Sequence, residues 1–136
     1  MKKLGRHLLA EFTDCDSRIL TDHELLQKIL TDAARESGAT IVQTVFHDYN
    51  PHGFSGVIVI AESHIAIHTW PEYGYIAADF FTCGDRVDPR KGCYYLKENL
   101  NCGAMFTREI SRGIPSNKDE IIPFKPEESS SGREVA

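Results

Sequence analysis

The middle of this chain lacks the residues that usually bend one. From Val57 to Trp70 the sequence VIVIAESHIAIHTW runs without a Gly, Pro, Asn or Asp, although strands average about 5–6 residues and turns draw on those four types. Basic clusters are missing as well: no Lys/Arg run exceeds a pair and the net charge is −5. This argues against nucleic acid as the main partner, since phosphate binding needs several clustered cations. No apolar run reaches the roughly 18 residues of a membrane helix, and no signal core of about 7–15 residues follows the start. The expectation is a soluble cytoplasmic protein. Neither a Gly-x-Gly-x-x-Gly after a strand nor a Gly-x-x-x-x-Gly-Lys-Ser/Thr occurs, which sets aside nucleotides held on the familiar loops. No Lys lies in an apolar strand, where desolvation would lower its pKa for imine chemistry, so a pyridoxal-phosphate lysine is not apparent.

What is present is enough for one core. At 136 residues, 41% of them hydrophobic, the chain predicts a single domain over 1–114, with 115–136 as a Pro- and Ser-rich tail, mostly flexible. GRHLLAEF (Gly5–Phe12) reads as a first strand. Thr21 and Glu24 have capping-box spacing and open a helix with an apolar stripe of Leu25, Leu26, Ile29, Leu30 and Ala33, stopped by Gly38. Strands are predicted over Thr40–Phe46, Gly56–Ala61, Ile65–Trp70 and Tyr75–Thr82, with connections short enough for antiparallel neighbours. Asp88-Pro89 starts a second helix as N-cap and N1, and GAMFTREI supplies a last strand. The fold class is α+β: a mostly antiparallel sheet with two helices on one face. Strands such as VIVIA and YIAADFF are apolar at odd and even positions alike, so the second face also needs cover, and a second protomer pairing into a larger sandwich is the expected one.

If the long run holds two strands, only Glu62-Ser63-His64 is polar enough to part them, and that puts chemistry where a turn belongs. His64 and His68 share a strand face at about 13 Å, too far apart to chelate one metal, and no metal site is expected. Of the four cysteines, Cys15, Cys93 and Cys102 read as small buried residues and free thiols, with no Cys-x-x-Cys pair among them. Cys83 ends ADFFTCGD, where a thiol can face a cleft. Ser63 or Cys83 as nucleophile with His68 as base would suit a hydrolase, but the Gly-x-Ser-x-Gly elbow is missing. A serine in an ordinary strand-to-strand turn stays open on this evidence.

ESHIAIHTWPEYGYIAADFFTCGD, with GRHLLAEF upstream and DPRKGCYYL downstream, closely resembles the prokaryotic S-adenosylmethionine decarboxylases, from about Lys3 to Ile114. That resemblance implies a zymogen that cuts itself between Glu62 and Ser63 and converts Ser63 into a pyruvoyl group. The pyruvoyl cofactor captures the substrate amine and takes up the electrons left when carbon dioxide departs. Ser55 and His68 match the self-processing groups, His68 as the base for elimination, and Cys83 matches the proton donor in decarboxylation. Tyr49 falls where an aromatic ring stacks on adenine, Glu72 where a carboxylate accepts from the ribose hydroxyls, and Glu62 among the substrate-binding residues. Many relatives carry Phe at position 49, and DPRK stands here where DPWK is common. The resemblance also implies a homodimer with sites near the subunit boundary, S-adenosylmethionine as substrate, and a product that donates aminopropyl groups for spermidine synthesis. Two readings remain beside it: a pyruvoyl decarboxylase of arginine or ornithine, and a non-cleaving dimeric binding module.

Overall fold

The computed structural model describes residues 3–113; the predicted tail, 115–136, lies outside them. The element order is β1 (Gly5–Thr13), α1 (Ser17–Leu20), α2 (His23–Glu36), β2 (Thr40–Asp48), β3 (Phe54–Ala61), β4 (Ser63–Trp70), a single 3₁₀ turn (Pro71–Tyr73), β5 (Tyr75–Cys83), α3 (Pro89–Asn99) and β6 (Ala104–Arg112). Six strands form one sheet in the order β2-β3-β4-β5-β1-β6, with every neighbouring pair antiparallel. The meander β2 to β5 follows from its short connections; β1 then inserts between β5 and β6.

Alternation along the strands decides which side chains meet the helices. In β5, Ile76, Ala78, Phe80 and Thr82 are buried while their neighbours are half-buried. Leu8, Ala10 and Phe12 of β1 and Ile65 and Ile67 of β4 join them beneath Leu26, Ile29, Leu30 and Ala33 of α2 and Leu96 of α3. Gly92 lets α3 sit close to the sheet: a Cβ there would come within 2.8 Å of the Phe80 ring. Both main helices therefore cover one face, as the apolar stripes predict.

Among the described residues nothing covers the other face. Val45, Val59, Trp70, Phe106 and Ile110 are all exposed, and the strand registers put them on that same side.

One local expectation needs correction, and one short helix was missed. The N-cap of α2 is Asp22, whose side chain accepts from the Leu25 amide, not Thr21 in a capping box. Thr21 instead closes α1, with its hydroxyl bonded to the Ser17 and Arg18 carbonyls. A four-residue helix carries too few turns to show a period, so α1 left no mark in the apolar pattern.

Candidate active site

The turn between β3 and β4 contains little besides the residues of interest. Ile60 pairs with Ser63, which leaves Ala61 and Glu62 to reverse the chain. Ser63 holds φ at +147°, a region that residues with a Cβ rarely adopt and that costs on the order of 1–3 kcal/mol. The Cys83 amide donates to the Glu62 carbonyl oxygen at 3.3 Å. That bond draws electron density from the carbonyl carbon next to the Ser63 amide, which favours attack there by the Ser63 hydroxyl, and the same N–H can stabilise the oxyanion that attack would create. Ser63 is thus a fitting precursor for a group made in place: the carbonyl to be attacked is polarised and the backbone beside it is strained. Ala61, Glu62, Cys83, Gly84, Asp85, Arg86 and Val87 line an open cleft of about 450 Å³ around this turn, and the half-buried Cys83 thiol is the nucleophilic side chain within it.

A second cleft, of about 310 Å³, lies at the opposite end of β3 and β4. Tyr49, His52, Gly53, Phe54, Ser55, His68, Thr69, Trp70 and Glu72 line it. Ser55 and His68 face each other in register, and Ser55 Oγ lies 2.8 Å from His68 Nδ1. This hydrogen bond fixes the ring; in the tautomer whose Nδ1–H donates to Ser55 Oγ, Nε2 carries the free lone pair. The 3₁₀ turn carries Glu72, which lies 3.5 Å from His52 Nε2, and Tyr49 is about half exposed, with its ring edge-on to His47. An aromatic face and a carboxylate therefore flank the Ser55–His68 pair.

The sequence singled out both groups of residues, but one chain does not bring them together. Ser63 and His68 are five positions apart on one strand, about 16 Å at roughly 3.3 Å per residue. Glu62, Ser63 and Cys83 sit at one end, and Tyr49, Ser55, His68 and Glu72 at the other.

Sequence reasoning missed the polar group lying between them. His7, His64 and Asp79 come from three adjacent strands, and Asp79 Oδ2 lies 2.9 Å from His7 Nε2 and 3.1 Å from His64 Nε2. Among the described residues these three form the one cluster with metal-ligand spacing. Arg112, however, donates to His7 Nδ1 at 3.0 Å. That assigns the ring proton to Nε2, which then donates to Asp79, so the nitrogen nearest the carboxylate is not free to bind a cation. Only the strand order brings these residues together, and no spacing in the sequence signals it.

Fold and geometry together define a two-layer α+β protein with one bare sheet face and its reactive groups at strand ends. Residues 6–113 match the family of S-adenosylmethionine decarboxylase. The chain is 54% identical over 114 residues to the S-adenosylmethionine decarboxylase proenzyme of Pelotomaculum thermopropionicum, covering 84% of this chain and 90% of that one. It is 55% identical over 123 residues to the proenzyme of Thermosipho africanus, covering 86% and 95%. The crystal structure of the adenosylmethionine decarboxylase from Aquifex aeolicus superposes with a TM-score of 0.78 at 33% identity, over 84% of this chain and 94% of that one. The chain belongs to the S-adenosylmethionine decarboxylase family. Among the described residues, no helix is long and apolar enough to cross a membrane.

Proposed function

We propose that this chain is the precursor of a pyruvoyl enzyme that decarboxylates S-adenosylmethionine, and that each active site is assembled from two copies. The observation that carries the first part is the hydrogen bond from Cys83 to the Glu62 carbonyl beside the strained Ser63. Ser63 Oγ attacks that carbonyl carbon, the Glu62–Ser63 C–N bond breaks, and an ester replaces the amide. A base removes the Ser63 α-proton, the Cβ–O bond breaks, and Glu62 leaves as a carboxylate. Hydrolysis of the dehydroalanine releases ammonia and leaves a pyruvoyl terminus on residues 63–136. When present, that group binds the substrate amine and accepts the electrons of the broken carbon–carbon bond.

The base for elimination is His68, held by Ser55, and the separation within one chain supports a second copy as its source. A two-fold pairing of the bare faces sets the His68 end of one sheet over the Ser63 end of the other and repeats the contact by symmetry. The exposed Val45, Val59, Trp70, Phe106 and Ile110 support this pairing, since a face of this kind is costly to leave in water. Light scattering at micromolar concentration should give twice the chain mass; a stable, active monomer would remove the shared-site reading.

Substrate selection rests on Tyr49 and Glu72. An aromatic face near a sulfonium contributes about 0.5–2 kcal/mol, and a carboxylate accepting from ribose hydroxyls about 1.5–3 kcal/mol. S-adenosylmethionine can also stack its adenine on Tyr49 and donate both ribose hydroxyls to Glu72, whereas arginine and ornithine carry neither an adenine nor a diol. Carbon dioxide release from S-adenosylmethionine should therefore exceed release from either amino acid by about 10²-fold or more, at roughly 1.4 kcal/mol per factor of ten. Tyr49→Ala and Glu72→Gln should raise KM by about 10-fold and 10–100-fold, with cleavage at Ser63 intact. Release from arginine or ornithine alone would overturn the substrate and leave the pyruvoyl reading standing.

Cys83 lies beside the new terminus and serves to protonate the substrate α-carbon. Cleaved enzyme treated with a thiol alkylator should lose turnover yet keep its pyruvoyl mass on residues 63–136. Full activity with Cys83 shown to be alkylated would remove that role.

A further inference from the structure

Away from both clefts, two thiols are in contact. β1 ends at Thr13, Asp14 turns the chain at φ +55°, and the Cys15 amide donates to the Gly74 carbonyl at 2.9 Å. On the facing segment, Asn101 turns at φ +52° after α3, and the Cys102 amide donates to the Lys97 carbonyl at 3.0 Å. The two turns are locked together by the Gly103 amide, which lies 3.0 Å from the Thr13 carbonyl oxygen and 3.1 Å from that of Asp14. Only glycine permits this approach, because a Cβ at position 103 would come within 2.8 Å of the Asp14 Cβ. The arrangement puts Cys15 Sγ 2.6 Å from Cys102 Sγ, with each residue 7% exposed.

The position of this pair relative to the cut gives it a consequence. Cys15 is the sole cysteine of residues 1–62, and Cys102 lies in residues 63–136. We propose that Cys15 and Cys102 are a redox-sensitive pair whose disulfide joins the two chains of the cleaved protein. The tether rests on cleavage at Glu62–Ser63; the pairing of the thiols does not.

The oxidant is hydrogen peroxide. The Cys102 thiolate attacks the peroxide, an S–O bond forms, the O–O bond breaks, and the departing oxygen leaves as water after protonation. Cys15 sulfur then attacks Cys102 sulfur and expels a second water, so two thiols are oxidised by two electrons and one peroxide is reduced. Cys102 is the better first nucleophile. The hydrogen bond from Cys15 draws its thiol below the ordinary range, against the cost of burial and with help from the Lys97 charge, while the same contact and burial push Cys15 up. Elsewhere in the core, burial pushes the Cys93 thiol up to about 12, which leaves it inert.

Cleaved protein treated with hydrogen peroxide and quenched with N-ethylmaleimide should run as one species on a non-reducing denaturing gel. Apart from N-ethylmaleimide added at Cys83 and Cys93, its mass should equal the sum of the two chains less two hydrogens, and dithiothreitol should restore both chains. Cys102→Ala should leave the chains separable after peroxide, and Cys15→Ala gives the same readout if that variant does not fold. Peptide mapping of uncleaved Ser63→Ala should find the same Cys15–Cys102 link, so a failure of cleavage is seen apart from a failure of pairing. Chains that still separate after peroxide has consumed other thiols, or a link that survives in Cys102→Ala, would overturn the proposal.

Discussion

Ser63→Ala is expected to remain a single chain indefinitely, with decarboxylation lowered by roughly 10⁴-fold or more, the scale seen when a group performing the chemistry is removed. Wild type should instead resolve by intact mass into residues 1–62 and 63–136, the latter with a blocked terminus. The physical basis is narrow enough to test. With a methyl group in place of the hydroxymethyl, the Glu62 carbonyl still accepts from the Cys83 amide, but nothing is left to attack it. Folding should survive, because Ser63 lies at a strand end and outside the hydrophobic core. Hydroxylamine separates this reading from ordinary proteolysis: it cleaves the ester formed by a folding wild-type chain and leaves Ser63→Ala whole. A wild-type chain that stays whole with and without hydroxylamine would end the self-processing account.

Much of this fold was legible because its signals are local. Asp88-Pro89 did start α3, with the Asp88 side chain accepting from the Arg90 amide, and Gly38, at φ +88°, did follow α2. The β3–β4 hairpin was legible for the opposite reason: fourteen residues without a turn former left only Glu62-Ser63-His64 to divide them, although the chain reverses on Ala61 and Glu62, and Ser63 and His64 already belong to β4. What stayed hidden depends on register and on contacts between distant positions. The capping box pointed to Thr21 because the pattern fits, yet Asp22 stands one residue nearer the helix and caps it. Cys15 and Cys102 are 87 positions apart, and His7 reaches Asp79 across 72. Such contacts arise only once β1 has inserted between β5 and β6. The candidate site shows both sides of this. Tyr49, Ser55, Ser63, His68, Glu72 and Cys83 could be named from the resemblance to the family, but their division between two ends of a hairpin could not be seen until Ser55 was paired with His68 and Ile60 with Ser63.

That division leads to a prediction that a site contained in one chain cannot share. Consider a dimer of one Cys83→Ala chain and one His68→Ala chain, purified by distinct tags. If each site joins Ser63 and Cys83 of one copy to Ser55 and His68 of the other, one site of the mixed dimer is wholly wild type. Its Ser63 belongs to the chain that carries His68→Ala. The remaining site combines both defects. The His68→Ala chain should therefore be cleaved, while the Cys83→Ala chain, whose own His68 is intact, should stay largely whole. The mixed dimer should also recover about half the wild-type turnover, one competent site in two by symmetry, although each parent homodimer is nearly inactive. Intact mass reads cleavage on each chain separately because the substitutions label them. Had the approximately 16 Å between Ser63 and His68 been closed by bending within one protomer, each chain would keep its own defect. The His68→Ala chain would then stay whole in every pairing, and the mixture would be no more active than its parents.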